Sequence, residues 1–269
     1  VLSFVDLATR PEFAVGTVDC RDDHRGWSAE RPREDVRLVL VRRGGFRRRV
    51  RGVCADLDRT VGYLGMPGEE EHFAHPAGGD KCTSITLTPA FWRTLAGDAP
   101  LLERSTLYVD GTLDLAHRRL LAATRAADPE YAATEGLLGL VAVVVRQVVA
   151  TVAPDGGRAG DRALAAQARR AIGDDHPAAD GLIPLAALLG VSPYRLSRAF
   201  TRELGVSLTR YRNRVRVARA LDRLEAGEPS LAALAADLGF ADQAHLCRTV
   251  RAHLGHTPTA LRWLLATKK

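Results

Sequence analysis

Two stretches decide the fold: Gly181-Leu-Ile-Pro-Leu-Ala-Ala-Leu-Leu-Gly-Val-Ser-Pro-Tyr-Arg-Leu-Ser-Arg-Ala-Phe200 and Leu231-Ala-Ala-Leu-Ala-Ala-Asp-Leu-Gly-Phe-Ala-Asp-Gln-Ala-His-Leu-Cys-Arg248. Each is a short apolar helix, a Gly turn and a second helix. Gly190 and Gly239 suit the turn because Gly tolerates positive φ. Ser192 followed by Pro193 is a helix start, with Ser as N-cap and Pro at the first helical position. Asp242 can cap in the second unit. Leu196, Ala199 and Phe200 share one face at helical spacing, as do Leu246 and Val250. The opposite faces carry Tyr194, Arg195, Ser197 and Arg198 in the first unit, and Gln243, Ala244, His245, Cys247 and Arg248 in the second.

Between them, residues 207–227 form a basic helix with an apolar stripe of Leu208, Tyr211, Val215, Ala218, Leu221 and Leu224. Gly227 ends it and Pro229 prevents continuation. A helix of about 20 residues rises about 30 Å, close to one turn of B-DNA, so it can space two recognition helices into successive major grooves. Arg, Gln and Ser are side chains suited to base edges and phosphates. One such motif occurs in many helical hairpins; two joined by a basic helix are far more specific.

This region resembles the DNA-binding domain of the AraC/XylS family of bacterial transcription regulators. The residues that carry the resemblance are Gly190-Val-Ser-Pro193, Leu196-Ser-Arg-Ala-Phe200, Glu203-Leu-Gly-Val-Ser207, Tyr211, Arg216, Ala220-Leu221, Leu234-Ala235, Leu238-Gly-Phe240, Gln243-Ala-His-Leu246, Arg248, Gly255 and Thr257-Pro258. It covers about the last 110 residues. One departure is that Leu246 and Val250 stand where the family often has Phe. The resemblance implies a DNA-binding regulator, an activator by the family's commoner habit, with RNA polymerase and a second copy of the chain as partners. Tyr194, Arg195, Ser197 and Arg198 are expected to read one groove, and Gln243, His245 and Arg248 the next. Arg202, Arg212 and Thr257 are expected at phosphates.

Composition agrees. The formal charge is +6, and it is uneven. Residues 158–269 hold 18 Lys/Arg and 10 Asp/Glu, a net of +8, whereas residues 1–157 net −2. Basic character therefore sits with the paired motifs, as phosphate binding requires. The most apolar run, residues 137–152, is interrupted by Arg146 and Gln147. With no secretory signal pattern, this points to the cytoplasm. No Gly-rich phosphate loop, nucleophile elbow or His-Glu-x-x-His occurs, so no catalytic residues are assigned and an enzyme is not expected.

Residues 1–110 alternate as strands do. Residues 35–42, 46–53, 60–64, 72–75 and 82–87 read as strands separated by Gly/Pro turns. Arg47 to Arg51 and Glu69-Glu70-Glu71 read as solvated charge runs. Residues 89–95, 113–127 and 131–152 turn helical. The expected class is α+β: a cupin-like β-barrel at 1–110 that senses a signal, a helical hairpin at 111–153 that supplies a dimer contact, a linker at 154–160, and an all-α domain at 161–269 with two helix-turn-helix motifs. The barrel and the dimer contact are what the resemblance implies. The effector would be a small molecule or a redox signal. Lys268-Lys269 is a further expected phosphate contact.

One constellation in the first half bears chemistry. Cys20 and His24 are four apart, and His75 and Cys82 flank Gly78-Gly79. Cys20, His24, His75 and Cys82 make a Cys2His2 set, the composition of a tetrahedral zinc site, although neither spacing is the tight Cys-x-x-Cys of a familiar zinc module. The competing reading of the half is a metal- or thiol-dependent redox sensor or enzyme domain with DNA binding as its output. The third reading is reduced cysteines that are simply buried. The His-x-His of a catalytic cupin is absent, since His72-x-x-His75 has the wrong alternation.

Overall fold

The computed structural model describes residues 2–21, 24–29, 32–97, 105–126, 128–150 and 159–265. The chain divides into two compact units, Val1–Ala150 and Thr151–Ala266. The first contains β1 (Leu2–Thr9), β2 (Phe13–Cys20), β3 (Ser28–Ala29), β4 (Val36–Arg43), β5 (Phe46–Val50), β6 (Val53–Leu57), β7 (Val61–Gly65), β8 (Glu71–Ala74), β9 (Asp80–Leu87), α1 (Pro89–Ala96), β10 (Thr106–Tyr108), α2 (Gly111–Ala123) and α3 (Pro129–Ala150). A six-stranded sheet runs β1-β2-β9-β4-β7-β10 and a four-stranded sheet runs β3-β8-β5-β6. Every pairing between these strands is antiparallel. The unit is thus a domain of two antiparallel sheets with helices, and the chain as a whole is α+β.

Strand alternation gives the large sheet two faces. Val15, Leu38, Leu40, Leu64, Ile85 and Leu87 face one way and form a single core with Leu113 and Leu120 of α2 and Leu137, Leu140 and Val144 of α3. On the other face, Tyr63 packs against Phe46 and Phe73 of the small sheet, with ring centroids 6.4 and 6.2 Å apart. Covering on both sides explains the unbroken apolar run Leu38-Val-Leu-Val41 within β4. By length and composition α3 is apolar enough to cross a membrane, but its Leu137, Leu140, Val141 and Val144 are buried in this core. The hairpin expected to form a dimer contact therefore spends its inner face on its own sheet.

Two corrections follow from the strands. Residues 46–53 are not one strand, because Arg51 and Gly52 have φ of 48° and 75° and turn the chain between β5 and β6. The two charge runs are not both solvated. Arg48 is 2% exposed; its Nε donates to Glu71 Oε1 at 2.6 Å, Nη2 to Glu69 Oε2 at 3.1 Å and Nη1 to Ser105 Oγ at 2.7 Å. Glu71 also accepts from Arg37 at 2.9 Å. The basic and acidic runs meet because β5 pairs with β8 and aims Arg48 inward.

The second unit is helical: α4 (Ala159–Gly173), a 3-10 turn at Pro177–Asp180, α5 (Leu182–Leu188), α6 (Pro193–Leu204), α7 (Leu208–Glu225), α8 (Leu231–Asp237), α9 (Gln243–Leu254) and α10 (Pro258–Leu265). Residues 159 and 160 already belong to α4 rather than to a linker. The remainder of that expected linker, and Lys268-Lys269, lie outside the described residues.

Candidate DNA interface and buried polar cluster

The two helix-turn-helix units are built from the same parts. Gly190 and Gly239 turn the chain at φ of 66° and 69°. Ser192 Oγ accepts from the Arg195 N–H, and Asp242 Oδ1 from the His245 N–H, so each second helix is capped. Gly205 and Gly255 end those helices in the left-handed region, both at φ of 72°. Ser207 and Thr257 then cap α7 and α10 by accepting from Arg210 and Ala260. The offset between matching caps is 50 residues, so Arg198 on α6 and Arg248 on α9 occupy equivalent positions.

On α6, Leu196, Ala199 and Phe200 are buried, with Phe200 edge-on to Tyr211 of α7 at 5.1 Å. Tyr194, Arg195 and Arg198 are exposed, and Ser197 lies half-buried beside them. Arg198 Nη1 donates to the Tyr194 hydroxyl at 2.6 Å, which holds both over one face. On α9, Leu246 and Val250 are buried, while Gln243, Ala244, Arg248 and Arg251 are exposed. Arg251 was not singled out from the sequence; the 50-residue offset places it opposite exposed Thr201 and would have found it.

Three expected contacts have other partners. Arg202 Nη1 donates to Asp161 Oδ2 of α4 at 2.5 Å. Arg212 donates to the Asp180 carbonyl at 2.9 Å and to its carboxylate. His245 turns back, its Nδ1 accepting from the Ala241 N–H at 3.3 Å and its ring standing edge-on to Phe240 at 5.4 Å. The same logic runs along α7. Arg219 binds Asp175 and Arg223 binds Glu228 and Asp237, while Arg216 stacks over Phe240 at 5.7 Å. Arg212, Arg216, Arg219 and Arg223 therefore tie neighbouring loops and side chains to this helix. Thr257 stays exposed at its cap.

In the first unit, the structure gathers the four Cys/His candidates, but with a fifth residue among them. Cys20 ends β2 directly opposite Asp80, which begins β9. One donor atom each from Cys20, His75 and Asp80 lies within 4.8 Å of the others, and all three residues are buried. His24 and Cys82 stand one step back: His24 Nε2 is 3.0 Å from His75 Nδ1, and the Cys82 thiol donates to Asp80 Oδ2 at 2.7 Å. Burial, with the Asp80 carboxylate next, pushes the Cys82 thiol up. The expected Cys2His2 set is thus replaced by Cys20, His75 and Asp80. Only the register of β2 against β9 brings Asp80 to Cys20. A second buried group, His117 of α2, sits with Nε2 2.8 Å from Thr83 Oγ1 of β9, and burial pushes its pKa down to about 4.

Residues 185–263 match the family model described as a helix-turn-helix domain. The match spans 79 of the 269 residues, all of them in the second unit. No curated protein matches the chain. Among solved structures, ToxT from Vibrio cholerae, bound to an unsaturated fatty acid, is 14% identical with a TM-score of 0.38, covering 96% of this chain and 98% of that one. An AraC-type regulator from Chromobacterium violaceum is 24% identical with a TM-score of 0.38, covering 42% of this chain and all of its own. A Cupin_2 domain of an XRE family regulator from Enterobacter cloacae is 14% identical with a TM-score of 0.29, covering 33% and 97%. These superpositions are loose, and they describe the neighbours.

Proposed function

We propose that this chain is a DNA-binding transcription regulator that grips promoter DNA with α6 and α9 of a single protomer in two successive major grooves. The observation that carries this is the repeat itself. Two capped helices, 50 residues apart in sequence, each present an exposed Arg at the same position, and α7 between them has 18 residues, a rise of about 27 Å. Tyr194, Arg195, Ser197 and Arg198 read one half-site; Gln243 and Arg248, joined by Arg251, read the other. The N-terminal unit supplies a signal, a small molecule or a redox change. Dimerisation, contact with RNA polymerase, activation and a cytoplasmic location rest on the resemblance of the C-terminal half. For the dimer, the outer face of α3 adds support, since Tyr131 and Leu138 remain exposed there opposite the core face. Activity as an enzyme is not part of this reading.

The test is DNA selection followed by affinity measurement with Arg198→Ala. A base-reading Arg contributes about 1–3 kcal/mol of discrimination, so binding to the selected site should weaken about 5- to 150-fold with sequence preference lost in one half-site only. Equal weakening on all sequences would reduce Arg198 to a phosphate contact.

A further inference from the structure

We propose that Cys20, His75 and Asp80 bind a divalent zinc-class metal ion inside the N-terminal unit, through Cys20 Sγ, His75 Nε2 and Asp80 Oδ1. This goes beyond the DNA-binding reading and stands whether or not the ion alters affinity for DNA.

The hydrogen-bond chain fixes which atoms face the site. His24 Nδ1 is 3.0 Å from the Gly26 carbonyl; a carbonyl only accepts, so this nitrogen carries the proton. In the neutral ring, His24 Nε2 is then a lone pair, and it lies 3.0 Å from His75 Nδ1, which must donate to it. His75 Nε2 is left bare, and it points toward Asp80 Oδ1 at 2.8 Å. That carboxylate oxygen is buried and accepts no hydrogen bond. Two lone pairs facing each other in a buried place repel unless a cation lies between them.

The surroundings suit a metal. A ligating imidazole usually donates its other N–H to a neighbouring acceptor, which fixes tautomer and orientation; His75 does this to His24. The second oxygen of Asp80 is held by the Cys82 thiol, which leaves Oδ1 free to ligate. A thiolate and a carboxylate around a dication form a neutral set, so the ion removes the cost of burying two anions. Ligand atoms about 2.0–2.3 Å from one zinc stand roughly 3–4 Å apart, which the three atoms reach with small side-chain movements. The backbone is shaped for this closeness: a Cβ on Gly79 would lie 2.0 Å from the Cys20 carbonyl oxygen. Three protein ligands are the number found where zinc keeps a fourth position open to water or an exogenous donor. A protonated His75 paired with Asp80 is the competing arrangement, and it needs no metal.

The experiment is metal content on the full chain, purified without chelator or affinity tag, reconstituted with zinc and desalted, then with cobalt(II). The expected result is about one ion per chain and a thiolate-to-cobalt charge-transfer band. Cys20→Ser and Asp80→Asn should each lose the ion and the band. His24→Ala should weaken affinity about 10- to 100-fold, whereas Cys82→Ser should keep both ion and band, because a hydroxyl can still donate to Asp80. Circular dichroism checks folding; if Cys20→Ser does not fold, the wild-type cobalt spectrum and Cys82→Ser decide between the assignments. Wild-type chain without stoichiometric metal, or a band that vanishes with Cys82→Ser instead of Cys20→Ser, overturns the site.

Discussion

Acidification from pH 7 to pH 5 should destabilise the N-terminal unit through His117, and His117→Gln should remove that part of the loss. The imidazole is buried between α2 and β9 and is held neutral, with its pKa lowered to about 4 from 6.5, chiefly by burial. Arg42, Arg118 and Arg59 lower it further, while Asp114 opposes them. The sign follows from where protons bind. Between pH 6.5 and 4 the unfolded chain takes up a proton that the folded unit does not, so unfolding gains as pH falls. The stabilising effect of a neutral His117 is complete above 6.5 and lost toward 4. The full span of about 2.5 pH units at 1.36 kcal/mol each is about 3 kcal/mol, of which about 2 kcal/mol is lost by pH 5. Urea unfolding of wild type and His117→Gln at pH 7, 6 and 5 measures it, because titration of other groups cancels in the difference. Gln keeps a partner for Thr83. Equal pH dependence in the two proteins would refute the reasoning, as would an imidazole that titrates near 6.5 by NMR.

Arg48→Ala should cost about 3–5 kcal/mol of stability, since it leaves Glu69 and Glu71 buried without their main cation; a loss under 1 kcal/mol by denaturant titration would contradict the buried network. Arg212→Ala should cost less than about 1 kcal/mol, because its Asp180 partner is largely exposed. It should also leave the salt dependence of DNA binding unchanged, whereas a phosphate contact would flatten the slope by about one. Leu138→Glu, on the outer face of α3, should convert a homodimer to monomer in analytical ultracentrifugation; an unchanged dimer would move the contact elsewhere.

What the sequence made legible was local. The Gly190 and Gly239 turns, the Ser192 and Asp242 caps, and the buried stripe of α7 all depend on residues within a few positions of one another, and each is found where its pattern places it. What stayed hidden depends on pairing across the chain. Arg47 to Arg51 reads as a solvated run until β8 comes alongside β5 and supplies Glu71 to Arg48. Arg212 reads as a phosphate contact until Asp180, 32 residues away, folds against it. Asp80 carries no signal of its own; only its register opposite Cys20 brings it to the cluster. The first two strands, Leu2–Thr9 and Phe13–Cys20, also went unmarked, in part because β2 is covered on both sides and its alternation is blurred.

The most direct test of the central claim is footprinting of the wild-type chain on its selected DNA, beside Arg198→Ala and Arg248→Ala. Two protected major-groove half-sites about one helical turn apart are expected. Arg198→Ala should lose one of them and Arg248→Ala the other. A single protected half-site per protomer, indifferent to one of the two substitutions, would contradict it.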